Sequence, residues 1–288
     1  MQNAPILIIG MARSGTTFVS NMLGSHLETC VVSEPHLLWR TGNLCFLNDQ
    51  EFTINSFNKN IIRKKILDKT GYIRRLVEKS PINSLRAELV HSVFPDAKIV
   101  YLERDPVRVI FSNYKRSLKK DSFKLSIIIK KYFYKTGSKD LPHSLSSFNL
   151  ISQLSVRDIP CFLLYVIKMF ALRDIFNLLP FGPKIKDFKN IVKNEGLLRY
   201  HVKVYKETKL NKKKFKMLYK DNFYCFQMED LMTNKEVVMN LFKSVELGYD
   251  DIYIDEVMQN INQQRVERAI ESNKMDDLII EEIKRLNV

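Results

Sequence analysis

Residues 5–17 read PILIIGMARSGTT, and the order of residue types in that stretch sets the fold class. Pro5 to Ile9 is a short, unbroken apolar run, the pattern of a parallel strand buried on both faces. Gly10 and Gly15 bracket a turn. From Thr16 to Leu27 the apolar residues Phe18, Val19, Met22 and Leu23 recur at helical spacing. Strand, glycine turn and helix open an α/β fold.

Outward from that unit, short apolar runs bounded by turn signals repeat. Cys30 to Val32 precedes Ser33-Glu34-Pro35, and Leu76-Val77 leads into Glu78-Lys79-Ser80-Pro81. Lys98 to Leu102 follows the Pro95-Asp96 turn, and Phe223 to Phe226 comes late. Helices are expected between them: one with Leu85, Leu89, Val90 and Val93 on a face, and one opened by Asp105-Pro106. Proline suits a first helical position because its missing N–H is unpaired there anyway. Thr233 and Glu236 have capping-box spacing, and Gly248 suits the exit of that helix. Val266 to Leu286 reads as largely helical. The sequence therefore predicts one α/β domain over 1–288, with a mainly parallel central sheet flanked by helices. A helical insertion is expected from about 115 to 215. Ligand should sit at the carboxyl ends of the strands.

Gly10 to Thr17 has the glycine spacing of a P-loop, GxxxxGK[ST]. Backbone amides of such a turn, with the helix N-terminus behind them, face an anion. The P-loop lysine slot holds Thr16, however, and the cation stands at Arg13. No Walker-B aspartate for Mg²⁺ is evident, which argues against an ATPase or kinase.

Arg13-Ser14-Gly15-Thr16-Thr17 resembles the 5′-phosphosulfate loop of the PAPS-dependent sulfotransferases (PAPS is 3′-phosphoadenosine 5′-phosphosulfate). Tyr101 to Pro106 with Ser112 resembles that family's 3′-phosphate site, where an arginine at a strand end and a serine on the next helix hold the phosphate. Glu78 to Asn83 is similar to the segment carrying the donor-contacting lysine. Phe226 to Leu231 is similar to a late "YEDL" strand end. Ser33-Glu34-Pro35 lies where the tyrosylprotein and some bacterial members carry a catalytic glutamate. The likeness runs from Pro5 to about Asp250 and is weakest between Lys115 and Phe223.

The resemblance implies PAPS as cosubstrate. It assigns the 5′-phosphate to Ser14, Gly15, Thr16 and Thr17, and the 3′-phosphate to Arg104 and Ser112. Arg13 and Lys79 would stabilise charge on the bridging and sulfonate oxygens, so no metal is expected. Two departures stand out. The slot of the histidine base in the cytosolic steroid and phenol enzymes is Pro81. The tyrosine of "YEDL", which approaches adenine in some members, is Met228. Glu34 is then the candidate general base, with His36 as its rival. Arg265 and Arg268 are candidates for the C-terminal 3′-phosphate contact. Trp39 is either a packing residue or part of the acceptor mouth.

With 288 residues, 45% of them hydrophobic, the chain can bury one sizeable core. The net charge of +14 attracts anions in general: nucleotides, acidic glycans, an anionic membrane surface. Nine basic residues and one acid fall between Lys115 and Lys139, and Phe162 to Leu172 is strongly apolar. The expected acceptor is a hydroxyl on a glycan, a glycolipid, a sterol or another lipid-like alcohol. Nucleic acid is not expected, since no recognition motif supports it. Two other readings stay open: a kinase-like P-loop transferase, and a PAPS-binding protein without turnover. The run at 5–9 is too short for a signal peptide, and no stretch has the ~20 apolar residues of a spanning helix. A cytoplasmic protein is expected, with membrane contact at its periphery. Cys30, Cys45, Cys161 and Cys225 show neither CxxC nor zinc spacing and read as buried thiols of a reducing compartment.

Overall fold

The computed structural model describes residues 4–50, 52, 55–71, 74–118, 158–272 and 277–286 (backbone alone at 174, 262–272, 277 and 278). Five strands form one sheet: β1 (Ile6–Ile9), β2 (Thr29–Ser33), β3 (Arg75–Lys79), β4 (Lys98–Glu103) and β5 (Phe223–Gln227). The order is β2-β3-β1-β4-β5, and every neighbouring pair is parallel. All five expected strands are present. β1 is central, and all four of its residues are fully buried. That is why it reads as a continuous apolar run with no alternation.

Period-two geometry sends Ile6 and Ile8 to one face and Leu7 and Ile9 to the other. On the first face they join a core with α1 (Thr16–Gly24) and three late helices. On the second they pack with α2 (His36–Trp39), α3 (Ser56–Leu67) and α4 (Ala87–Val93). α5 (Pro106–Leu118) follows β4, and α6 (Ile159–Phe170) continues into a π-type turn, Ala171–Ile175. The basic stretch up to Lys139 lies outside the described residues beyond 118, as does His143. α7 (Phe188–Tyr219) breaks at Gly196, where φ is 85°. Its Phe215 and Tyr219 belong to the second core, and its Tyr101 contact is a hydrogen bond to the Thr208 carbonyl at 3.2 Å. The stretch from 188 to 215, expected to be insertion, is thus built into the domain.

The late helices are α8 (Met228–Leu231), α9 (Lys235–Ser244), α10 (Asp251–Ser272) and α11 (Asp277–Arg285). The cap of α9 is displaced by one residue from the expected box. Asn234 Oδ1 accepts from the Glu236 amide at 2.9 Å, while the Thr233 hydroxyl donates back to the Glu229 carbonyl. Asparagine and threonine both cap well, so adjacent candidates compete. The chain leaves α9 through Glu246 at φ 55°, not through Gly248. Of the cysteines only Cys30 is buried, which corrects the expectation for the other three. Cys45 and Cys161 meet at the surface, Sγ to Sγ 2.8 Å.

Candidate active site

Parallel strands deliver their carboxyl ends to one edge of the sheet, and strand order sets what stands there. Reading across β2-β3-β1-β4-β5, the edge carries Glu34, Lys79, the Gly10–Thr17 loop, Arg104 and Glu229. β1 lies between β3 and β4, so the loop is flanked by Lys79 on one side and Arg104 on the other, about 10 Å apart at the usual strand spacing.

The loop is held from beneath. Gly15 has φ 98°, the left-handed region that glycine enters without a Cβ penalty, and a Cβ there would lie 2.3 Å from Met228 Sδ. Met228 is 5% exposed and part of the first core. The residue that departs from the family's tyrosine is therefore spent on packing the loop. Asn113 Nδ2 donates to the Ala12 carbonyl at 2.7 Å and to the Val109 carbonyl at 2.8 Å, tying α5 to the loop. Sequence reasoning missed Asn113, although it adjoins Ser112.

What the loop leaves open suits an anion. Among the described residues no side chain caps α1, and its first turn holds no acid. The Ser14 hydroxyl is buried without a hydrogen-bond partner. A small cavity borders it, lined also by Arg104, Tyr205 and Lys209. Tyr205 and Lys209 come from α7, which sequence reasoning did not place at the site. Thr16 is buried and Thr17 exposed.

On the β4 side, Arg13 Nε donates to Ser112 Oγ at 3.0 Å, and Arg104 Nη1 donates to the Arg13 carbonyl at 3.0 Å. Arg104 Nε also lies 3.8 Å from Glu229 Oε1. The Asp105 carboxylate accepts from the Arg108 amide at 2.8 Å, capping α5 with Pro106 in its first turn as expected. Three predicted residues, Arg13, Arg104 and Ser112, thus form one cluster.

On the β3 side, register pairs Ser33 with Lys79, so Glu34 emerges beside the lysine. Lys79 Nζ donates to Glu34 Oε1 at 2.5 Å, and His36 Nε2 lies 3.1 Å from Glu34 Oε2. Lys79 is 3% exposed. Glu34 has φ 53°, a strained value for a residue with a Cβ and one that concentrates at functional sites. Burial pushes the Glu34 carboxyl up, but His36 and Lys79 together hold it well below the usual carboxylate range. The candidate base and its rival are therefore one hydrogen-bonded group. Arg13 turns toward Ser112, so the structure distributes Arg13 and Lys79 to opposite flanks of the loop.

Beneath this pair, Glu78 is fully buried. It accepts from Trp39 Nε1 at 2.9 Å and from Ser80 Oγ at 2.5 Å. Burial pushes its carboxyl up to about 7 against those hydrogen bonds. Trp39 is 0% exposed and packs edge-on to Phe94, so it is a core residue and does not line an acceptor mouth. His26 is structural too, 2.7 Å from the Gly248 carbonyl. The side chains of Arg265 and Arg268 lie outside the described residues.

Residues 5–149 match the family model described as "Sulfotransferase family". The chain belongs to the sulfotransferase family. The matched region contains every residue of the two clusters. An uncharacterized protein of Aquifex aeolicus is 29% identical over 129 residues, covering 39% of this chain and 17% of that protein. The match thus spans less than a fifth of that relative's length. A sulfotransferase from Alicyclobacillus acidocaldarius superimposes with a TM-score of 0.45 at 13% identity, covering 95% of this chain and 98% of that one. Mouse sulfotransferase SULT7A1, solved with PAP, gives 0.44 at 10% identity, covering 95% of this chain and 68% of that one.

Proposed function

We propose that this sulfotransferase-family chain moves a sulfuryl group from PAPS to an acceptor hydroxyl. The observation that carries the reading is the arrangement of two clusters around one uncapped, glycine-bracketed loop. Arg13, Arg104 and Ser112 lie on one flank, and Lys79, Glu34 and His36 on the other. The residues fit the donor: the buried Ser14 hydroxyl lacks a partner, and α1 presents unguarded amides. When bound, PAPS supplies the activated sulfuryl group.

In this reading the Ser14 hydroxyl and the amides of Gly15, Thr16 and Thr17 hold the 5′-phosphate, aided by the helix dipole. Arg104 and Ser112 hold the 3′-phosphate, for which a guanidinium fork is suited. Arg13 leaves Ser112 to serve the reacting end, and Lys79 supplies the second cation. The lysine then exchanges Glu34 for an anionic oxygen. Released from that partner, the Glu34 carboxylate becomes more basic and accepts the acceptor's hydroxyl proton. His36 keeps Glu34 oriented. Two cations and a helix N-terminus provide the positive charge, so the reading needs no metal. The acceptor class comprises glycans, glycolipids, sterols and other lipid-like alcohols.

Titration with PAP by calorimetry, without metal and with ATP and AMP as controls, tests the donor assignment. PAP should bind, AMP should bind far more weakly, and Arg104→Ala should weaken PAP by about 10- to 100-fold while leaving AMP unchanged, the scale of a charge-assisted contact. Equal binding of ATP that requires Mg²⁺ would replace this reading with the kinase-like one.

A further inference from the structure

α6 carries one charged residue, Lys168, among its twelve, and helices so apolar are normally buried. Among the described residues its inner side is covered: Phe162 packs on Leu37 and Leu44, and Leu172 enters the third core. The outer side carries Leu163, Leu164, Ile167, Phe170, Ile175 and Phe176, each between 42% and 66% exposed. They recur at helical spacing and form one contiguous stripe, more apolar surface than a soluble chain ordinarily leaves open. No helix among the described residues is long and apolar enough to cross a membrane. The stripe therefore suits lying in an interface, not spanning one.

Charge identifies what covers it. Lys168 and Arg173 stand on the same element, and Lys115 and Arg116 end α5, whose Arg116 lies 5.9 Å from the Phe181 ring. The chain as a whole carries a net charge of +14. Basic residues beside an exposed apolar helix complement anionic headgroups.

We infer that the outer face of α6 docks the protein on an anionic bilayer surface. Leu37, which contacts the inner face, is three residues from Glu34. A docked bilayer would then stand about one helix diameter, ~10 Å, from the start of α2. This narrows the acceptor to a hydroxyl carried on a membrane lipid, a step that rests on the sulfotransferase reading. The docking itself does not.

The test is cosedimentation of the full chain with vesicles of phosphatidylcholine alone or mixed with phosphatidylglycerol. The double variant L163E/I167E runs in parallel, with thermal unfolding, light scattering and PAP titration on both proteins. Docking predicts binding to the anionic vesicles only, weakened by salt and reduced by about tenfold or more in the variant. The variant's unfolding temperature and PAP affinity should be unchanged. Wild-type protein that ignores anionic vesicles overturns the inference. So does a variant that binds as well, or one that loses stability, which would mean the chain covers its own stripe. A wild-type dimer dispersed by the variant would assign the face to a second copy. Intact PAP binding in any of these cases leaves the donor reading standing.

Discussion

At the scale of residues, the proposed mechanism asks two incompatible things of Glu34. As a base it must accept a proton, yet in the free protein Lys79 and His36 hold its carboxyl well below the usual range. A carboxylate so stabilised is a poor base until a partner leaves. Donor binding supplies the occasion, because the phosphosulfate competes for the same ammonium. Glu34→Gln separates the two roles. Turnover with any accepted alcohol should fall by about 10²- to 10⁴-fold, the usual contribution of a positioned base. PAP should bind several-fold more tightly, because Lys79 no longer gives up a charged partner. Calorimetry and a radiolabelled-donor assay read the two effects separately. A variant with near-normal turnover would remove Glu34 as base, and weaker PAP binding would remove the exchange. The glutamate is a candidate in the sequence through the family resemblance of Ser33-Glu34-Pro35. The pairing with Lys79 is not legible there, because 45 residues separate the two. Only the register of β2 against β3 joins them.

At the scale of elements, the loop between β1 and α1 is shaped by what lies under it. Gly15 at φ 98° has Met228 against its missing side chain. Gly15→Ala should cost about 1–3 kcal/mol in urea unfolding for the left-handed backbone alone. It should also weaken PAP binding, because the loop amides shift. Adding Met228→Ala opens space for the new methyl, so the double variant should lose less stability than the two single losses summed. Strict additivity would mean the two residues do not press on each other. Elements were read from sequence with uneven success, for physical reasons. Each strand is a short apolar run between turn residues, and burial on both faces makes such runs conspicuous. α7 is hard to read because its buried apolar residues are interrupted by buried polar ones, His201, Thr208 and Asn211, and by many lysines. Its pattern resembles a solvated insertion although it packs on the sheet. The Thr233 expectation failed by one residue, since an equally good cap stood next to it.

At the scale of the whole molecule, the buried titratable groups oppose one another, and their balance sets the acid stability. His201 is 1% exposed, and burial lowers it from 6.5 to about 3, with Ser117 Oγ 2.8 Å from Nε2. Between those values the unfolded chain takes up a proton that the folded chain refuses. Stability from this group therefore falls as pH falls, by about 1.4 kcal/mol per pH unit. Glu78 has the reverse sign. Burial raises it from 4.5 to about 7, so in that window the folded chain holds a proton that the unfolded chain has lost. Stability from Glu78 falls as pH rises, by about 3 kcal/mol across the window. The two slopes cancel where they overlap, from pH 6.5 down to 4.5. Below that, Glu78 is silent, and Asp49 and Glu103 join His201. Burial raises both acids, but Arg40 and Arg86 bring Asp49 to about 2, and Lys209 and Lys212 bring Glu103 to about 2. The unfolding temperature should thus be nearly level from roughly pH 6.5 to 5 and drop steeply below roughly pH 4.5. Glu78→Gln removes one of the opposed slopes while keeping the shape of the side chain. Its unfolding temperature should exceed the wild type's above pH 7, where the parent buries a charge. It should then decline steadily with acid, by roughly 2–4 °C for each kcal/mol. A variant that keeps the wild-type plateau would show that Glu78 is not the group opposing His201.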